Sequence, residues 1–139
     1  MISITKKIEF EAAHRISNYP GSCREIHGHT YKLSVTVSGE VNSETDMVLD
    51  FKILKEIIKK AVIERFDHSL ILKINPENER IFSSYLGKII WMESEPTAEQ
   101  MLLWIASALS PLLPKKVSLA KLKLHETSGS WASWKNNKG

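Results

Sequence analysis

The chain has 139 residues, of which 42% are apolar and 25% charged, with a formal net charge of +3 at pH 7. This balance predicts one soluble domain, residues 1–139, with enough chain to bury a core. It excludes an intramolecular disulfide, because Cys23 is the single cysteine, and a membrane-spanning helix, because no stretch approaches the ~20 apolar residues needed.

The lysines are scattered over several predicted elements with no basic block among aromatics, so nucleic-acid binding is not expected. A mild positive field suits a phosphorylated small substrate. The opening residues MISITKK lack the apolar run of a signal peptide, and a reducing cytoplasm is the expected compartment.

The first strand is predicted over Ile8 to His14. Ile8, Phe10, Ala12 and His14 share one parity and Glu9 and Glu11 the other, which turns His14 toward the apolar face. A loop rich in Asn, Pro, Gly and Ser follows, from Ile16 to Ile26. The second strand is predicted from His27 to about Gly39, with His27, His29, Tyr31, Leu33, Val35 and Val37 on one face. Asp50 is placed to N-cap a helix from Phe51 to about Arg65, with Leu54, Ile57, Ile58, Ala61 and Val62 as its buried stripe. Asp67 and His68 follow directly.

A third strand is expected near Lys88 to Met92. Thr97 and Gln100 fit a capping box that opens a second helix, with Met101, Trp104, Ile105 and Ala108 facing inward and Pro111 and Pro114 ending it. The last strand is predicted over Val117 to Thr127, where Leu122, Leu124 and Glu126 share a parity. Trp131 and Trp134 either pack on the core or line a subunit contact. Four strands and two amphipathic helices in the order β-β-α-β-α-β predict an α+β domain with helices on one face of an antiparallel sheet.

Three histidines on matching apolar strand faces can converge at one end of that sheet. His14, His27 and His29 are therefore candidate zinc ligands, with one coordination position left open. The alternative is three buried imidazoles satisfied by backbone groups. Cys23 lies in a polar loop four residues before His27; it is either a small buried residue or a thiolate made acidic by a cation and able to take a proton. Asp67 either marks a helix terminus or orients an imidazole for proton transfer. Glu126 either meets a lysine, lies exposed at a strand end, or pairs with a ligand that has adjacent N–H donors, such as a guanine-like ring.

The ordered set Phe10-Glu11-Ala12-Ala13-His14, Cys23-x-x-x-His27-Gly28-His29-x-Tyr31, Leu49-Asp50-Phe51, Asp67-His68, Pro96-Thr97-Ala98-Glu99-Gln100 and His125-Glu126-Thr127 resembles the 6-pyruvoyl-tetrahydropterin synthase superfamily. The three-residue gap between Cys23 and His27 is most like its bacterial 6-carboxytetrahydropterin synthase branch, which serves queuosine (7-deazaguanine) biosynthesis. The resemblance implies a tunnelling fold whose four-stranded sheets join into a barrel, usually in hexamers with active sites between subunits. It implies one zinc per subunit on His14, His27 and His29, with Cys23 as the base and Asp67 and His68 as a proton relay. Glu126, helped by Thr127, would anchor the pterin. The implied substrate is 7,8-dihydroneopterin triphosphate, and the products are 6-carboxy-5,6,7,8-tetrahydropterin, acetaldehyde and triphosphate.

Two positions depart from the family pattern. Leu72 stands where Asp-His-x-x-Leu-Asn has its Asn, and Gln100 where Asn is common. Two other functions compete: a pyruvoyl-type synthase that eliminates triphosphate and keeps the three-carbon side chain, and a zinc-stabilised pterin-binding module without turnover.

Overall fold

Strict alternation in the two longest apolar-polar segments builds the centre of the molecule. In the computed structural model, which describes residues 1–21 and 25–137, β1 (Ile2–His14) and β2 (His27–Gly39) pair antiparallel from Ile2↔Gly39 to His14↔His27. The register sets Ala12 opposite His29, so the three histidines share one end and one face of a two-strand ladder. Cys23 lies outside the described residues.

The chain continues through α1 (Phe51–Ile58), a π turn (Lys59–Ile63), α2 (Glu64–Phe66), β3 (Ser69–Lys73), α3 (Pro76–Ile81) and β4 (Ile89–Met92). It ends with α4 (Ala98–Leu109), a 3-10 turn (Ser110–Leu112), β5 (Val117–Thr127) and β6 (Ser130–Lys135). Among the described residues the sheet has six strands in the order β4-β3-β1-β2-β5-β6. The strands β1, β2, β5 and β6 run antiparallel, while β3 joins β1, and β4 joins β3, in parallel.

The predicted architecture is present, with corrections to its parts. β1 starts at Ile2 rather than Ile8; Ser3, Thr5 and Lys7 continue its exposed parity. The expected strand near Lys88 to Met92 exists as β4, but it sits in the parallel extension and not in the antiparallel sheet. Its place there is taken by β6, a short edge strand whose polar, half-exposed residues carry little hydrophobic signal. β3 is buried on both faces, so Leu70, Ile71 and Leu72 form an apolar run without alternation. Leu72 is wholly buried, which explains an apolar side chain where the family pattern has Asn.

The core lies between the helices and one sheet face. Phe10, Tyr31, Leu33, Val35, Val37, Leu122 and Leu124 from the sheet meet Leu54, Ile58, Val62, Met101, Ile105 and Leu109 from the helices. Each such side chain stabilises by about 1.5–3 kcal/mol when fully buried. Leu54, Ile58, Val62 and Phe66 recur every four residues and are all fully buried. A step of four overshoots a 3.6-residue turn, and the wider π turn takes the overshoot out. This keeps Phe66 inward, against Phe10 at 5.8 Å and Trp104 at 4.9 Å between ring centroids.

A bulge in β5 between the Thr36↔Lys121 and Val37↔Leu119 pairs leaves Ala120 as an extra residue. Leu119 and Leu122, three apart, can therefore both face the core. The helix starts are capped as the sequence predicts: the Asp50 carboxylate accepts from the Lys52 N–H at 2.7 Å, and the Thr97 hydroxyl accepts from the Gln100 N–H at 3.2 Å. The two tryptophans part ways. Trp134 packs against the core, whereas Trp131 stands half-exposed, stacked on His125 at 4.9 Å beneath the Lys123 ammonium.

Candidate functional site

Strand parity delivers His14 from β1 and His27 and His29 from β2 to one point. One ring nitrogen from each lies within 4.8 Å of the others. His14 is buried and His27 and His29 are half-buried. The Nδ1 of His14 lies 2.7 Å from the Pro96 carbonyl oxygen, and the Nδ1 of His27 lies 2.9 Å from that of Glu25. A carbonyl oxygen only accepts, so both Nδ1 atoms carry the proton and donate. In the neutral rings both Nε2 atoms then present lone pairs, and these two atoms face each other at 2.9 Å. The Nε2 of His29 is buried without a hydrogen-bond partner among the described residues.

Two opposed lone pairs and an orphaned third nitrogen make a poor set of contacts among themselves. They are a good set for one cation. Each imidazole offers the donor that Zn²⁺ takes, and backbone carbonyls hold the other ring nitrogens of His14 and His27, as second-shell partners of metal-bound histidines do. Electrostatics agree: burial lowers the pKa of His14 to about 4, and burial also lowers that of His29, opposed by the nearby Glu126 carboxylate. A neutral ring is the form that binds a metal.

The histidines open into a cleft of about 560 Å³ lined by His14, His27, Tyr19, Glu99, Glu126 and Trp131, among others. Glu126 is half-buried there, and one of its oxygens is 3.9 Å from the His29 Nε2. No lysine pairs with it among the described residues. Thr127 is exposed, and its hydroxyl accepts from the Gly129 N–H in the turn to β6. Tyr31 lies beneath the site, fully buried, stacked on Phe10 at 5.0 Å, with its hydroxyl 3.3 Å from the His14 Nδ1. Parity found Tyr31; the carbonyls of Pro96 and Glu25 belong to the backbone and left no residue signal.

Within one chain, Asp67 and His68 are not brought into this cleft. Asp67 accepts from the Glu11 N–H at 2.9 Å and the His68 N–H donates to the Glu11 carbonyl at 2.6 Å, which docks the pair on the edge of β1. The other Asp67 oxygen is 3.0 Å from the His68 Nδ1. The Glu11 N–H bond is the largest influence holding the Asp67 carboxyl below its usual pKa. His68 itself is 79% exposed, adopts φ 60, and borders a shallow depression with Glu11, Ala13, Gly28 and Thr30, which His29 and Ala12 also line. Glu11, Ala13, Gly28 and Thr30 have the parity opposite to the three histidines.

The α+β sheet and the three-histidine cleft at its end fit a tunnelling-fold enzyme, and comparison with known proteins gives the class as pterin synthase. Residues 3–137 match the family described as 6-pyruvoyl tetrahydropterin synthase, and the chain belongs to that family of enzymes. It is 37% identical over 131 residues to the 6-carboxy-5,6,7,8-tetrahydropterin synthase of Rickettsia bellii, covering 91% of this chain and 95% of that one. In structure it resembles an uncharacterised protein from Wolinella succinogenes, with a TM-score of 0.83, 22% identity and 98% of each chain covered. It also resembles the 6-pyruvoyl tetrahydropterin synthase of Caenorhabditis elegans, with a TM-score of 0.73, 20% identity, and 98% of this chain and 96% of that one covered.

Proposed function

We propose that the protein converts 7,8-dihydroneopterin triphosphate to 6-carboxy-5,6,7,8-tetrahydropterin, acetaldehyde and triphosphate, in a cytoplasmic route to queuosine and related 7-deazaguanines. The observation that carries this reading is the cleft in which His14, His27 and His29 converge beside the half-buried carboxylate of Glu126. The Rickettsia bellii relative bears the name of that activity.

His14, His27 and His29 would hold one zinc ion. When bound, zinc supplies Lewis acidity to oxygens of the substrate's side chain. Glu126 accepts two parallel N–H bonds from the edge of the pterin ring, which offsets the cost of keeping a carboxylate in a partly dry cleft, with Thr127 beside it. Cys23, four residues before His27 in sequence, serves as the base that removes a proton next to the ring. Asp67 orients His68 through the 3.0 Å contact, and the pair relays protons. The pair does not line the cleft of its own chain, and a neighbouring copy supplies it, in the hexameric assembly that the resemblance implies.

The test is mass spectrometry of products after zinc-loaded protein meets 7,8-dihydroneopterin triphosphate. A 6-carboxytetrahydropterin with acetaldehyde is expected, and Cys23→Ala should abolish both. A product that keeps all three side-chain carbons would instead identify the pyruvoyl-type reaction. Binding of zinc and pterin with no turnover would identify a binding module.

A further inference from the structure

The strand end just beyond His14 is tied down by a hydrogen-bonded circuit that the proposed chemistry does not use. Arg15, 8% exposed, follows His14 and donates to the Asn78 side-chain oxygen and pairs with Glu77. Asn78 is fully buried; its N–H donates to the Asn75 side chain at 2.7 Å, and its own amide donates to the Lys73 carbonyl at 2.9 Å. Asn75 in turn donates to the Ser17 hydroxyl at 3.1 Å. Ser17, 7% exposed, gives both its protons to Glu95: its N–H at 3.0 Å, and its O–H at 2.7 and 3.0 Å to the two carboxylate oxygens. Glu95 precedes Pro96, whose carbonyl accepts from the Nδ1 of His14 at 2.7 Å. The circuit therefore leaves the chain at Arg15 and returns to the His14 ring.

We propose that Glu95 is a positioning residue of the metal site, holding the Pro96 carbonyl where it fixes the tautomer and direction of His14. The inference rests on the metal reading above. The carbonyl is the only backbone acceptor that the His14 Nδ1 meets among the described residues, and a peptide plane is aimed by whatever anchors its neighbours. Ser17 and Glu95 join the segment after β1 to the segment before α4 across 78 residues of sequence, so no local backbone rule sets their distance. A carboxylate accepting charge-assisted bonds from two donors of one residue, the O–H shared between its oxygens, is a stiff joint. The outer-shell partner of His14 is the Pro96 carbonyl itself; loss of such a partner typically weakens a metal site about 10–100-fold, and Glu95 acts on it through the backbone.

The experiment compares the whole protein with Glu95→Ala, Glu95→Gln and Ser17→Ala. Zinc affinity is measured by chelator competition, and the His14 Nδ1 proton is followed by NMR in the metal-free protein. Glu95→Ala should raise the zinc Kd about tenfold or more and broaden or erase the Nδ1 proton signal, while Glu95→Gln, which keeps an acceptor for Ser17, recovers most of both. Should Glu95→Ala not fold, Ser17→Ala is judged by the same two readouts. An unchanged Kd and an intact Nδ1 proton signal in the folded variant overturn the proposal while leaving the metal reading standing. If the unaltered protein binds no zinc, the metal reading fails by itself, and the NMR signal alone then decides whether Glu95 orients His14.

Discussion

At His14, the burial that makes the ring a ready metal donor also makes it a liability in acid. Its pKa is lowered from 6.5 to about 4 in the folded protein, chiefly by desolvation. Above pH 6.5 the ring is neutral folded or unfolded and pH has no effect through it. Between 6.5 and about 4 the unfolded chain takes up a proton that the folded one refuses, so stability falls as pH falls. The full shift amounts to roughly 3 kcal/mol. Metal-free protein should therefore lose stability over this window, measured as a drop in the urea midpoint, and His14→Gln should flatten the slope. Zinc should add stability at neutral pH and lose its effect in the same window, because protons compete for the ligand nitrogens. The facing of the histidines was legible from period-two alternation alone. Their contacts with Pro96 and Glu25 were not, because a carbonyl has no letter in the sequence and its position depends on segments far along the chain.

Among the elements, the joint between α2 and β3 is the one that carries the proposed relay. Asp67 ends α2 in an extended conformation, and His68 turns the chain at φ 60. Both are held by a single residue of β1, whose N–H and C=O go to the Asp67 side chain and the His68 N–H. Asp67→Ala would leave the exposed Glu11 N–H to water and should cost about 0.5–1.5 kcal/mol in urea denaturation. Asp67→Asn keeps an acceptor oxygen and should cost less. The folded Asp67 carboxyl titrates below 3.8, so its contribution is present above that pH and disappears as pH falls through the depressed value; the Ala variant should show a shallower acid limb. Sequence reading placed Asp67 and His68 together after a helix but left their partner unnamed. Helix faces, caps and the two long strands were legible because each has a local rule: a stripe, a capping side chain, an alternation. β3 and β6 obeyed none, β3 being buried on both faces and β6 short and polar.

Across the whole molecule the sheet leaves long stretches of edge open. β3 covers only Ala12–His14 of β1, so residues 2–10 pair with β2 on one side and, among the described residues, with no strand on the other. β6 forms the far edge and lines the histidine cleft with Ser130, Trp131 and Ala132. Open edges of this length invite pairing. If β6 of one copy adds to β1 of the next, contacts repeat head to tail and close a ring. The same step brings the cleft beside β6 up to the next copy's Asp67 and His68, which are docked on Glu11 at the end of that β1 edge. Two variants test the arrangement together. His27→Ala lacks a metal ligand and His68→Ala lacks the relay, and each should be inactive alone. Unfolded, mixed in equal amounts and refolded, they should recover activity. A competent site needs an intact cleft from one copy and an intact His68 from its neighbour, each present in half of the copies, which gives about one quarter of the unaltered rate for random ring assembly. If His68 acted in its own chain, no copy in the mixture would carry both groups and the mixture would stay as inactive as its parts.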